Sequence, residues 1–137
     1  MPRPIRILLI EDTEDDIELT RLAFAESKLN SQLSTVSNGS QAIAFLEDPN
    51  QSLPDLILLD WKLPKMSGHT LLKKLKSSEF KRIPTVILTT SSNPRDVRAA
   101  YDEHANAYLE KPLLLSSLVQ LIQNSEIFWF ETVTRPG

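Results

Sequence analysis

The sequence predicts an α/β domain, a five-stranded parallel sheet with helices on both faces. Three observations predict it. Five short apolar runs recur along the chain with helix-length stretches between them. Most of these runs are nearly continuous in Leu, Ile and Val, as in strands buried on both faces. Polar residues then gather where four of the runs end, and ligands of open α/β sheets sit beyond the carboxyl ends of strands.

The strands are expected at Ile5–Ile10, Gln32–Val36, Leu56–Asp60, Thr85–Thr89 and Ala107–Leu109. The second has a weak pattern and is read as a strand because a helix-length segment flanks it on each side. Helices are expected at Glu14–Ser27, Ser40–Glu47, Thr70–Ser77, Arg95–Glu103 and Leu115–Asn124. Thr13 can cap the first, and Asp15 and Asp16 suit its positive first turn. Ile17, Leu19, Leu22, Ala23 and Phe24 are expected to form its apolar face. Asn38-Gly39-Ser40 reads as a turn followed by a cap. Asn93-Pro94 reads as a cap with proline at the first helical position.

At 137 residues the chain has room for one domain and not two. A net charge of −3 gives no electrostatic support to nucleic-acid binding, and none is expected. Without cysteine there are no disulfides, thiolate metal sites or cysteine nucleophiles, which fits a cytoplasmic protein. No apolar stretch is long enough to span a bilayer, and Met1-Pro2-Arg3-Pro4 leads into a strand, so no membrane partner is expected. The three glycines, Gly39, Gly68 and Gly137, cannot build a GxGxxG or GxxxxGK[ST] phosphate loop. The usual dinucleotide and P-loop folds are thereby excluded.

Glu11 and Asp12 follow the first strand, Asp60 ends the third, Thr89 ends the fourth and Lys111 follows the fifth. Strand ends of one parallel sheet share an edge, so these residues can converge. Clustered carboxylates repel unless a cation joins them, and an all-oxygen acidic site suits Mg²⁺. A lysine and a hydroxyl beside it suit a phosphoryl group. The simplest chemistry is attack by the Asp60 carboxylate on a phosphoryl donor. His69 and His104 stand alone in helical segments and carry no expected role. Lys73, Lys74, Lys76, Arg95 and Arg98 read as solvated faces.

The segments Leu8-Leu9-Ile10-Glu11-Asp12, Asp60-Trp61-Lys62-Leu63-Pro64-Lys65-Met66-Ser67-Gly68, Val86-Ile87-Leu88-Thr89-Thr90 and Tyr108-Leu109-Glu110-Lys111-Pro112 occur in one order. In that order and spacing the chain resembles the CheY-like receiver domain of bacterial two-component response regulators. The resemblance implies a flavodoxin-like fold with strand order 2-1-3-4-5. It implies that Asp60 accepts a phosphoryl group from a phosphohistidine of a sensor histidine kinase. It implies Mg²⁺ held by Asp12, Glu11, Asp60 and the backbone carbonyl of Lys62. Lys111 would pair with a phosphoryl oxygen, Thr89 would move to hydrogen-bond it, and Tyr108 would shift inward as the aromatic partner of the switch. The Lys111-Pro112 bond is expected to be cis. Thr89 is preferred to Thr90 because it follows Leu88 at the strand end and stands at the family's spacing from Lys111. Thr90 and Lys62 are expected to slow hydrolysis of the aspartyl phosphate.

Residues 1–124 are read as the receiver and 125–137 as a C-terminal extension. In the extension Ile127, Phe128, Trp129 and Phe130 are too many bulky apolar residues for one face of a terminal turn, and exposed aromatic patches mark interfaces. The extension, Leu88-Thr89-Thr90-Ser91 and Asn106-Ala107-Tyr108 are similar to the regulators paired with bacterial phytochrome kinases. That similarity implies a phytochrome kinase as partner and a homodimer formed through the last strand, the last helix and the tail. Two other readings stand beside this one. A Mg²⁺-dependent phosphatase with an aspartate nucleophile would resemble the haloacid dehalogenase family, but it needs a second aspartate where this chain has Lys62. A degenerate receiver would bind partners unphosphorylated, and the complete acidic set argues against it.

Overall fold

A computed structural model describes residues 3–27, 29–90, 93–111, 114 and 116–117. The elements in chain order are β1 (Ile5–Ile10), α1 (Glu14–Ser27), β2 (Ser31–Val36), α2 (Gly39–Glu47), β3 (Leu56–Asp60), α3 (Gly68–Lys76), β4 (Thr85–Thr89), α4 (Pro94–Asp102) and β5 (Ala107–Glu110). All strand pairs are parallel and the order across the sheet is β2-β1-β3-β4-β5. This is the expected flavodoxin-like arrangement. Of the helix expected at Leu115–Asn124, only Ser116 and Ser117 are described, and both are helical. The Lys111-Pro112 bond and the tail at Phe128, Trp129 and Phe130 lie outside the described residues.

Every residue of β3 and β4 is buried. That explains why the central strands read as continuous apolar runs, since both faces are covered. Side chains alternate between faces with period two. Leu8, Ile10, Ile57, Leu59 and Ile87 pack on one side with Leu71, Leu72 and Leu75 of α3 and Ala42 and Leu46 of α2. Ile7, Leu9, Leu56, Leu58, Val86 and Leu88 pack on the other with Ala23 and Phe24 of α1. The edge strand β2 has no fully buried residue, which accounts for its weak pattern.

The α1 face differs from expectation. Its buried residues are Thr20, Ala23 and Phe24, with Ile17 packed against the same cluster, whereas Leu19 is 45% and Leu22 51% exposed. A stripe through 17, 20, 23 and 24 follows the i, i+3, i+4 rule. Leu19 and Leu22 fall outside it, and Thr20 fits because its hydroxyl donates to the Asp16 carbonyl at 2.9 Å.

The caps also shift by a residue or two. Asn38 rather than Ser40 caps α2, its side chain accepting from the Gln41 amide at 2.9 Å. Ser67 caps α3 by accepting from the Thr70 amide at 3.1 Å, so that helix begins at Gly68. The Asn93 cap and Pro94 open α4 as expected. Before α1, the Thr13 carbonyl accepts from the Ile17 amide at 3.0 Å, while the Glu11 carboxylate holds the Asp12 and Thr13 amides.

Candidate functional site

The crossover from β1 out to β2 and back to β3 creates a crevice at the carboxyl ends of β1 and β3. Ile10 is paired with Leu59, so Glu11 emerges level with Asp60. On the other side Asp60 pairs with Leu88, and Thr89 with Glu110. Lys111 therefore emerges just beyond Thr89, and its amide donates to the Thr89 carbonyl at 2.9 Å. Strand register alone brings Glu11, Asp60, Thr89 and Lys111 to one edge.

Glu11, Asp60 and Thr89 are buried and Asp12 is exposed. One carboxylate oxygen from each of Glu11, Asp12 and Asp60 lies within 4.8 Å of the others. The Lys111 ammonium sits inside this group. It pairs with Glu11 Oε1, reaches Asp16 Oδ2 at 2.9 Å and Asp60 Oδ2 at 3.3 Å. The other Glu11 oxygen accepts from the Asp12 and Thr13 amides at 3.1 and 3.2 Å. The other Asp60 oxygen accepts from the Lys62 amide at 3.1 Å, which sets the Lys62 backbone beside the carboxylate.

Burial pushes the Glu11 carboxyl up to about 7. The Lys111 ion pair opposes that rise and the Asp60 charge adds to it. Burial also works against the Lys111 ammonium, but its bonds to Glu11 and Asp16 and the Asp60 charge hold its pKa above the ordinary value. Three carboxylates thus share one lysine, with Asp12 a fourth acid beside them. The excess negative charge and the all-oxygen donors of Glu11, Asp12 and Asp60 fit a hard divalent cation.

The loop after β3 is held close to the acceptor strand. The Gly68 amide donates to the Trp61 carbonyl at 2.9 Å. A Cβ on Gly68 would stand 2.5 Å from the Asp60 carbonyl oxygen, so only glycine lets α3 begin here. Trp61, next to Asp60, is buried and stacks on His69 at 5.2 Å between ring centroids. The Tyr108 ring meets the same indole edge-on at 6.5 Å. His69 Nε2 and Lys73 Nζ each lie 3.9 Å from Glu103, at the end of α4.

The structure brings together Glu11, Asp12, Asp60 and Lys111 as expected and sets Thr89 at the same sheet edge, with the Lys62 amide on Asp60 and Tyr108 on the flank. It adds Asp16, which was read as a helix-dipole residue and here also binds the lysine. Trp61 and His69 join the flank unforeseen, although their places beside Asp60 and Gly68 were a usable signal. Lys76 is not merely solvated, since its ammonium donates to the Lys81 and Ile83 carbonyls at 3.1 Å.

A parallel sheet in this order, with acids and a partly buried lysine at its switch point, is the architecture of a phospho-signalling receiver. The family profile of the response regulator receiver domain matches residues 7–123, and the chain belongs to that family. It is 42% identical over 139 residues to the response regulator Rcp1 of Synechocystis sp. (strain ATCC 27184 / PCC 6803 / Kazusa), covering 98% of this chain and 95% of Rcp1. The solved Mn²⁺-bound form of Rcp1 aligns with a TM-score of 0.77 over 98% of this chain and all of that one (100%). The phosphorylated cyanobacterial phytochrome response regulator RcpA is 42% identical, with a TM-score of 0.79 over 98% of this chain and 99% of its own. The bacteriophytochrome response regulator AtBRR is 32% identical, with a TM-score of 0.82 over 93% and 96%. The chain is accordingly a receiver of two-component signalling. Among the described residues no helix is long and apolar enough to cross a membrane.

Proposed function

We propose that Asp60 is the phosphoryl acceptor, supplied by a phosphohistidine of a sensor histidine kinase of the phytochrome type. The observation that carries this reading is Lys111 Nζ at 3.3 Å from Asp60 Oδ2 inside the carboxylate cluster. An Asp60 oxygen attacks phosphorus, and the bond from phosphorus to the donor imidazole nitrogen breaks. The electron pair of that bond stays on the imidazole. Charge held on the phosphoryl oxygens faces the Lys111 ammonium, whose raised pKa keeps it protonated. Asp12, Glu11, Asp60 and the Lys62 carbonyl would hold Mg²⁺, which supplies charge neutralisation for the transferring group. That a relative, Rcp1, has been solved in a Mn²⁺-bound form supports binding of a divalent ion.

Thr89 and Tyr108 form the switch in this reading. Thr89 is buried beside the acceptor strand, and Tyr108 touches Trp61, the neighbour of Asp60. A change in the Thr89 loop and Tyr108 would be read on the face formed by α4 and β5. Residues 1–124 constitute the receiver and 125–137 an extension whose Phe128, Trp129 and Phe130 pack in a homodimer. Output is protein contact in the cytoplasm, and the protein is a phosphoacceptor and not a turnover enzyme. A haloacid-dehalogenase-like phosphatase lacks support because Lys62 occupies the place of the general acid. Phosphotransfer profiling tests the pairing. A phytochrome-type kinase should label the wild-type chain within its first minutes and leave Asp60→Asn unlabelled. Transfer from unrelated kinases at equal rates would overturn the pairing.

A further inference from the structure

The Lys111 ammonium has three N–H donors, and three carboxylates surround it. The proposed chemistry uses two of them elsewhere. Glu11 belongs to the cation site, and Asp60 becomes the phosphoryl carrier. Asp16 has no such second task. It reaches across from the first turn of α1 to Lys111 Nζ at 2.9 Å, and its side chain is 29% exposed against 9% for the lysine. We infer that Asp16 is a positioning residue for Lys111, a resident counter-ion that a phosphoryl oxygen must displace or share. This inference rests on the reading of Asp60 as acceptor and Lys111 as phosphoryl partner.

The geometry sets the direction of the effect. While Asp16 is ionised it cancels part of the Lys111 charge that an incoming anion meets. It also adds like charge close to the arriving phosphoryl oxygens. Both effects weaken the site's hold on the phosphoryl group and favour the unphosphorylated state. The position is suited to the task because α1 can hold a side chain over the site without using any strand-end residue. The Thr20 hydroxyl binds the Asp16 carbonyl at 2.9 Å within the buried stripe, which fixes the backbone that carries the carboxylate.

Fluoroberyllate, a phosphoryl mimic that binds without covalent transfer, separates this role from kinase activity. Its affinity is measured by titration calorimetry on the full chain at saturating Mg²⁺. Asp16→Asn should bind about five- to tenfold more tightly than wild type, the scale of one charge-assisted contact. Asp16→Glu, which keeps the charge on a longer arm, should return to within about twofold of wild type. Should Asp16→Asn fail to fold, Asp16→Ser carries the same expectation. Unchanged or weaker binding by the neutral variants overturns the counter-ion role while leaving Asp60 as acceptor. A wild-type chain that binds no fluoroberyllate overturns both readings together.

Discussion

The Lys111 side chain is 9% exposed and meets Glu11, Asp16 and Asp60, and the ionisation of Glu11 and Lys111 is tied to these neighbours. Glu11 shows the consequence. Its carboxyl ordinarily titrates near 4.5 and is pushed up to about 7 by burial. A raised folded-state pKa gives stability that is present below the unfolded value and lost as pH rises through the folded one. With metal chelated, the melting temperature of the wild-type chain should fall relative to Glu11→Gln as pH rises from about 4.5 to about 7. Added Mg²⁺ should raise the melting temperature more at the upper end of that window, because the cation binds the ionised carboxyl. Parallel pH profiles of the two chains would contradict this account.

Lys62 and Thr90 are both exposed beside the acceptor. A Lys62→Asn, Thr90→Ala double variant should shorten the phosphate lifetime several-fold, followed by loss of label after chelation. An unchanged lifetime would sink the idea that they impede water. The convergence of Asp60, Glu11, Asp12, Thr89 and Lys111 on one sheet edge was legible in the sequence because each falls at or close to a strand end. Asp16 was not, because an acid in a first helical turn already has an ordinary explanation in the helix dipole. Its spacing of one helical turn after Asp12 was the available signal.

At the scale of elements, the strands were legible where both faces are buried and weak where one is not. β3 and β4 are wholly buried and matched their expected bounds, whereas β2 begins a residue earlier, at Ser31. Helix starts depended on local cap chemistry. Ser67 and Asn38 took the cap positions because their side chains reach amides three residues on. The α1 face was misjudged because Leu19 and Leu22 look like core residues, while Thr20 looks polar yet bonds its own helix. The correction has a measurable consequence in denaturant unfolding. Phe24→Ala should lose about 3 kcal/mol, since Phe24 is 4% exposed within a packed cluster. Leu19→Ala should stay within about 0.5 kcal/mol of wild type. Equal losses from the two would mean that α1 sits on the sheet by a different face.

Across the whole molecule, two mostly apolar clusters on opposite faces of one sheet hold the site residues at a common edge. Trp61 links that edge outward, touching Tyr108 of β5 on one side and His69 of α3 on the other. His69 and Lys73 then approach Glu103 at the end of α4. The β5 edge strand has no fully buried residue, and the proposed dimer would use that edge. Wild-type chain should sediment as a dimer, and a Phe128→Ala, Trp129→Ala variant as a monomer at the same concentration. Monomers in both cases, with and without phosphorylation, would contradict the proposed dimer.

The central claim is that Asp60 receives the phosphoryl group in a metal-assisted site. Intact-mass spectrometry after incubation with phosphoramidate and Mg²⁺ tests it without any kinase. The account predicts that wild type gains one phosphoryl group, that Asp60→Asn gains none, and that chelating the metal abolishes the gain. Labelling of Asp60→Asn at the wild-type level, or a wild-type chain that stays unmodified, would contradict it.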